Sequence, residues 1–233
     1  MELNKIRTSS ELCDKLINKR MIIQDFVNDV TVNVTEMFRD PEFYISLQKN
    51  VIQSLNNLPY IRIWHPGCSS GEEVYSMAIL LYENGMLENS MLYGTDINTE
   101  VLSKARKGIY PLRNMKEYTS NYIKTDAKYS FAEYYTASYD AAILRAFLKR
   151  RTVFSKHDLV TGVVPDEFNL IVCRNVLIYF NRDLQERVFK LFCDSLYLGG
   201  FLALGPRETL LLSDVNRRFE LVDKKENIYK KIK

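Results

Sequence analysis

The feature that most constrains this chain is a strand that runs into a glycine-bounded turn and then directly into a helix. Ile61-Arg62-Ile63-Trp64-His65 reads as a short strand and Pro66-Gly67-Cys68-Ser69-Ser70-Gly71 as a turn. Glu72 then opens a helix whose apolar positions Val74, Met77, Ala78 and Leu81 keep 3.6-residue spacing, with Gly85 as the residue just past its end. Met91 to Thr95 is predicted as the second strand, ending at Asp96. Asn98 caps a further helix through Lys107, closed by Gly108. Strand–helix–strand–helix is the order of a parallel sheet with crossover helices.

The flanks fit around that frame. Thr8 and Glu11 form a capping box for a helix over 9–19, and Met21 to Val30 carries a second helical pattern. Asp40 as N-cap and Pro41 at the first position predict a helix to about Leu55. Residues 109–150 break the rhythm, being rich in Tyr and Lys/Arg with weak periodicity. Thr152-Val153-Phe154 and the fully apolar Asn169–Cys173 read as strands, the latter at a buried parallel position. Arg182 to Leu198 is predicted as an amphipathic helix stopped by Gly199-Gly200. Phe201 to Leu204 is a strand, and 219–222 with 228–230 form a closing antiparallel pair.

Several chemistries are excluded at once. The Cys residues are Cys13, Cys68, Cys173 and Cys193, too far apart in sequence for a Cys-x-x-Cys metal site. His65 and His157 are the only histidines, which argues against a His-based triad or a multi-His metal centre, so no metal is expected. The N-terminus shows no apolar signal region, and no apolar run approaches the roughly 20 residues a membrane helix needs. A cytoplasmic location without direct membrane insertion is the expectation.

What remains is the edge where the predicted strands end. Glycines let backbone approach a ligand closely, with N–H groups lining the turn. The spacing here is Gly-x-x-x-Gly, a poor dinucleotide fingerprint, and taken alone it reads equally as a structural turn. Asp96 lies 25 residues after Gly71, at the end of the second strand. An acid there commonly accepts hydrogen bonds from two ribose hydroxyls, although it could also cap the helix that follows. Asp158 and Arg174-Asn175 fall at further strand ends, where a parallel sheet opens its crevice. No phosphate-binding loop accompanies them, so a nucleoside without a phosphate chain fits better than a dinucleotide.

Four segments then carry a specific likeness: NVTEMFRDPEFY at 33–44, IWHPGCSSGEEVYSMA at 63–78, YGTDINTEVLSKARKGIY at 93–110 and CRNVLIYFN at 173–181, with GGFLALG at 199–205. In this order the chain resembles the CheR-type protein-glutamate O-methyltransferases, which esterify glutamates of bacterial chemoreceptors with the methyl group of S-adenosylmethionine. The likeness covers roughly residues 25–231. It implies an α/β fold: a Rossmann-like class I methyltransferase sheet with a short N-terminal helical segment (1–58) and a larger domain (59–233). A small β-subdomain is inserted at about 111–151.

The resemblance also implies roles. Asn33, Thr35 and Arg39 would reach over the cofactor, and Gly67 would lie in its turn. Glu72 would contact the methionine part or its amino group. Asp96, with Ile97 beside it, would hold the ribose. Asp158 and Leu159 would flank the adenine, and Arg174 and Asn175 would line the methionine side. Arg39 and Tyr179 would be catalytic, orienting the incoming carboxylate, with S-adenosylhomocysteine as product. Each has a plainer reading: Arg39 could pair with a helix carboxylate, Tyr179 could be a half-buried core tyrosine, and Glu73 could simply occupy the first helical turn.

Charge and departures from the family shape the expected partner. Residues 1–60 hold seven Lys/Arg against eight Asp/Glu, whereas residues 101–160 hold twelve against five and seven of the fifteen tyrosines. The net +3 therefore hides a basic middle segment. It reads either as a solvated basic face or as a docking surface for an acidic helical region of a methyl-accepting receptor. Nucleic acid is not expected, because no binding module overlaps the segment. From Ile109 the insertion lacks the glycine-containing loop of relatives that bind a receptor's C-terminal peptide, so no pentapeptide tether is expected. About 30 residues precede Asn33 and they are not basic, which is shorter than the N-terminal helical region of relatives. Gly205-Pro206-Arg207-Glu208 stands where relatives usually have Gly-His-Ser-Glu. Two other classes stay open: a binding module for S-adenosylmethionine or S-adenosylhomocysteine without catalysis, and a small-molecule carboxyl methyltransferase.

Overall fold

Capping and strand signals translate into elements along most of the chain. The structure is a computed structural model that describes residues 8–18, 35–162 and 166–233. Helix α1 (Ser9–Asn18) starts where the capping pair places it, with the Glu11 N–H donating to the Thr8 hydroxyl at 3.1 Å. The helical pattern at Met21–Val30 and the residue Asn33 lie outside the described residues. Helix α2 (Pro41–Leu47) continues through one wide π-turn, Gln48–Ile52, and a last turn, Gln53–Leu55. Asp40 holds the capping position but adopts a left-handed φ of 55° and caps nothing with its side chain. Its carboxylate accepts instead from the Arg174 guanidinium at 2.6 Å. A charged, buried donor outcompetes a backbone N–H for that carboxylate.

The strands and helices that follow are β1 (Ile61–Pro66), α3 (Glu72–Glu83), β2 (Ser90–Asp96), α4 (Thr99–Lys107), β3 (Ile109–Pro111), α5 (Met115–Ile123), β4 (Tyr135–Ser138), β5 (Ala141–Leu144), α6 (Ala146–Lys149), β6 (Thr152–Lys156), β7 (Phe168–Cys173), α7 (Arg182–Asp194), β8 (Leu196–Leu204), β9 (Phe219–Asp223) and β10 (Ile228–Lys231). Seven strands form one sheet in the order β6-β2-β1-β7-β8-β10-β9. The pairs from β6 to β8 are parallel, and β10 runs antiparallel to both its neighbours. The chain builds outward from β1 to β6 and then crosses back to β7. The order therefore reverses between β1 and β7, and the carboxyl ends of β6, β2, β1 and β7 share one edge.

Side-chain alternation along β1 and β7 divides the core into two layers. Ile63, Leu170 and Val172 face a cluster with Leu47, Val51 and Met77 from α2 and α3. Trp64, Ile171 and Cys173 face a cluster with Val188, Phe189 and Phe192 of α7.

Two elements differ from expectation. Helix α7 ends at Asp194 rather than Leu198, and Leu196–Leu204 is a strand that runs through both glycines. Leu196 continues the apolar spacing of Phe192 and Cys193 and packs in the same cluster, which disguises the boundary. Register with β7 jumps from Phe168↔Leu196 to Leu170↔Phe201, so residues 197–200 bulge outward, with Gly199 at φ 83°. The insertion is the second case. It holds the antiparallel sheet β3-β5-β4 and also a helix, α5, which the weak periodicity hid. Tyr110, Tyr118, Tyr122 and Tyr134 of this segment are buried, so much of its tyrosine content is core. Glu83, at the end of α3, accepts from the hydroxyls of Tyr122 and Tyr134 and fastens the insertion to the large sheet's helix layer.

Candidate functional site

The Gly67–Gly71 turn leaves β1 in a conformation most residues avoid. Gly67 and Gly71 have φ of 69° and 90°, and Ser69 between them is left-handed at 49°. A Cβ on Gly67 would stand 2.4 Å from a methyl of Val176, so the glycine is needed for space as well as for backbone angle. The turn is held to the end of β2. The Cys68 N–H donates to the Thr95 carbonyl at 2.9 Å, and the Ser69 N–H to Asp96 Oδ2 at 2.9 Å. The Asn98 N–H donates to Asp96 Oδ1, also at 2.9 Å. Asp96 is thereby fixed as a half-buried carboxylate, with lone pairs left on both oxygens to accept further donors. Ile97, half-buried, follows it.

The end of β6 lies alongside, with the His157 N–H donating to the Asp96 carbonyl at 3.1 Å. The Asp158 carboxylate folds onto its own turn, accepting from the Val160 N–H at 2.9 Å and the Thr161 hydroxyl at 2.6 Å. Partial burial raises its pKa, but these hydrogen bonds outweigh that and hold it below the ordinary carboxylate value. Leu159 is half-buried beside it.

Arg174 and Asn175 leave the end of β7. The Arg174 side chain is only 2% exposed, and both terminal nitrogens of its guanidinium are engaged inside the protein. It donates to Asp40 at 2.6 Å, to Glu73 at 3.4 Å and to the Arg39 carbonyl at 3.4 Å, and lies 4.0 Å over the Phe43 ring. Arg174 therefore ties the segment carrying Thr35 and Arg39 to the end of β7. Glu73, which sequence reading could leave as an ordinary first-turn acid, completes this network and also meets His65 Nδ1 at 3.1 Å. Asn175 has a left-handed φ of 61°. Tyr179, on the turn Leu177–Tyr179, is 59% exposed, so it is not a core tyrosine.

Glu72 turns the other way. It is 5% exposed and accepts from the Ser70 hydroxyl at 2.8 Å and, more weakly, from the Tyr118 hydroxyl at 3.5 Å. Burial pushes its carboxyl up to about 7. Tyr110 donates to the Ser70 carbonyl at 2.7 Å, so two insertion tyrosines buttress the glycine turn. Nothing in their spacing announces this.

Glu208 is the other residue that sequence reasoning left without a role. Buried at 5% exposure, its carboxylate accepts four backbone N–H groups: Gly205 at 2.7 Å, Leu177 at 2.7 Å, Val176 at 2.8 Å and Asn175 at 3.1 Å. It holds the loop from Asn175 to Tyr179 in shape. The signal was available in its place within Gly205-Pro206-Arg207-Glu208, but not the partners.

The structure thus brings Gly67, Asp96, Ile97, Asp158 and Leu159 to adjacent strand ends. Asn175 and Tyr179 lie on the next loop, and Thr35 and Arg39 on a segment tied to it by Arg174. The donor set fits a nucleoside that carries an amino acid. Asp96 retains acceptor capacity for hydroxyls, and the Ser69 hydroxyl in the same turn is buried without a partner among the described residues, as a group awaiting a polar ligand would be.

Residues 33–228 match the family described as CheR methyltransferase, SAM binding domain. The chain is 43% identical over 224 residues to a Pseudomonas putida protein named as a methyltransferase, Cher3, covering 96% of this chain and 82% of that one. It is 32% identical over 209 residues to the chemotaxis protein methyltransferase of Listeria innocua, covering 89% of this chain and 77% of the relative. It is also 32% identical over 203 residues to the chemotaxis protein methyltransferase of Salmonella typhimurium, covering 85% and 67% respectively.

Proposed function

We infer from one premise, that the chain belongs to the CheR methyltransferase family and carries its S-adenosylmethionine-binding domain, that it methylates glutamate side chains of a bacterial chemoreceptor or receptor-like signalling protein. The observation that carries this reading is the pairing of a fixed Asp96 carboxylate in the crevice with an exposed Tyr179 on the adjoining loop. The first suits a held cofactor. The second suits a large substrate that arrives from solvent.

Bound S-adenosylmethionine supplies a methyl group already activated on a sulfonium. Asp96 would accept the ribose hydroxyls, and the Ser69 hydroxyl would meet the polar amino-acid end. Ionised Glu72 would be the acceptor for the ammonium. Asp158 and Leu159 would border the base, while Thr35 and Arg39 would cover the cofactor. Arg174 and Asn175 shape the wall on the methionine side.

A substrate glutamate, with a reference pKa of about 4.3, is ionised at neutral pH, so no general base is required. Arg39 and Tyr179 then serve to hold the carboxylate oxygen in line for displacement, at about 3–3.5 Å from the methyl carbon. The carboxylate loses its charge on becoming an ester. Binding by Arg39 must therefore orient it without stabilising the charged ground state more than the transition state.

Methyl transfer from radiolabelled cofactor to chemoreceptor-bearing membranes tests this. Base-labile label on receptor protein is expected. Asp96→Ala should mainly weaken cofactor binding, whereas Tyr179→Phe should mainly lower turnover. Tight cofactor binding with no transfer to any receptor protein would sink the reading. Equal, large losses of cofactor affinity in both variants would contradict the division of roles.

A further inference from the structure

We propose that the groove beside Tyr179, between the start of α7 and the turn at 205–213, seats an acidic helical segment of the protein substrate. This deepens the reading above and rests on it. The groove encloses about 250 Å³, with Leu177 and Phe189 in its lining and Leu212 at its edge, 75% exposed. Arg182 stands on one wall and Arg207 on the other, both exposed. Among the described residues neither guanidinium forms an ion pair with a carboxylate.

The two acids of the groove wall keep their charge but are less exposed than the two arginines, Glu208 being buried and Glu186 half-buried. Glu186 is occupied by the Ser213 hydroxyl at 3.0 Å and the Asp214 N–H at 3.1 Å, and Glu208 by its four backbone donors. Asp183 lines the neighbouring groove, with Arg187 and Lys190. Arg182 is moreover the first residue of α7, where the helix dipole disfavours a cation. Helix stability does not ask for a positive charge there, and a negatively charged partner does.

The groove is continuous with the reaction loop. Leu177 lines the groove and also begins the turn that ends at Tyr179. The Gln185 side-chain amide donates to the carbonyls of Leu177 and Phe180 at 2.9 and 3.0 Å, joining α7 to that turn. Glu208 joins the other wall to it through the Leu177 N–H. An amphipathic helix with an apolar stripe and flanking glutamates matches an apolar lining between two arginines, and such a helix would pass the exposed Tyr179 phenol.

The test uses the full chain, S-adenosylmethionine, and a soluble glutamate-rich coiled-coil fragment of a chemoreceptor as probe. Initial rates are measured against fragment and against cofactor for the wild type and the Arg182→Glu, Arg207→Glu double variant. The expected result is a KM for fragment raised by about tenfold or more, with the KM for cofactor and the circular dichroism spectrum unchanged. The milder double variant Arg182→Gln, Arg207→Gln should shift the same KM in the same direction by less. An unchanged KM for fragment in the folded double variant overturns the groove while leaving the methyltransferase reading intact. A wild-type chain that transfers no base-labile methyl to the fragment overturns the reading itself, and the groove with it.

Discussion

At Glu72 the fold has taken a carboxyl out of water, and this burial raises its pKa from the ordinary 4.5 to about 7 although the Ser70 and Tyr118 hydroxyls that donate to it pull the other way. The sign of the consequence follows from proton linkage. Between those two values the unfolded chain releases a proton that the folded chain keeps, so this residue's contribution to stability is full below pH 4.5 and is lost as pH rises to 7. The whole effect is bounded at about 3 kcal/mol. Glu72→Gln should therefore flatten the pH dependence of the urea midpoint over that window and raise Tm at pH 8. It should also weaken cofactor binding, because the ionised form is the one an ammonium group attracts. A wild-type stability profile that does not fall between pH 4.5 and 7 would remove burial as the cause. Glu73, the next residue, shows how far neighbours can diverge: one helical step puts its carboxylate on Arg174 and His65 instead.

Among the elements, the loop after β7 depends most on a partner distant in sequence. Asn175 is left-handed, a conformation that costs energy in a non-glycine residue and persists only where its surroundings enforce it. Glu208, 31 residues from Leu177, does so with four backbone hydrogen bonds to a single carboxylate. Glu208→Gln keeps the shape but replaces one acceptor oxygen with a donor facing N–H groups. The expected cost is about 2 kcal/mol in stability. Turnover should fall by roughly tenfold or more through misplacement of Tyr179, with a smaller change in cofactor affinity. Cofactor titration and single-turnover methylation on the same preparation separate the two effects. Equal losses in both would mean that the loop acts only as scaffold. The end of α7 and the start of β8 are decided in the same way: local apolar spacing runs on through Leu196, and only pairing with β7 ends the helix at Asp194.

Across the whole molecule the basic middle segment turns out to be two things at once. Four of its tyrosines, Tyr110, Tyr118, Tyr122 and Tyr134, supply core in the cluster that holds Phe38 and Phe131, and its cations lie outside. Some of those cations already have partners: Arg151 pairs with Glu88 at 2.5 Å, and Lys149 donates to the Lys107 carbonyl at 3.4 Å. On the proposed function, the exposed cations of this segment, paired or not, would steer an acidic substrate. Neutralising Lys149, Arg150 and Arg151 together should slow receptor methylation at low ionic strength and matter much less at high salt, where screening is nearly complete within about 10 Å. Equal rates for variant and wild type at low salt would remove the steering role, without bearing on the groove at Arg182 and Arg207. The alternation of strands and helices, the glycine turn, the placement of Asp96 at a strand end and the family itself were legible in the sequence, because each is written in residues within a few positions of one another. The burial of Glu72 under Tyr118, the capture of Asp40 by Arg174 from 134 residues away and the clasp of Glu208 on the reaction loop belong to the tertiary structure alone. Local sequence states what a side chain can donate or accept; which partner reaches it first is settled only when the sheet brings distant strand ends to one edge.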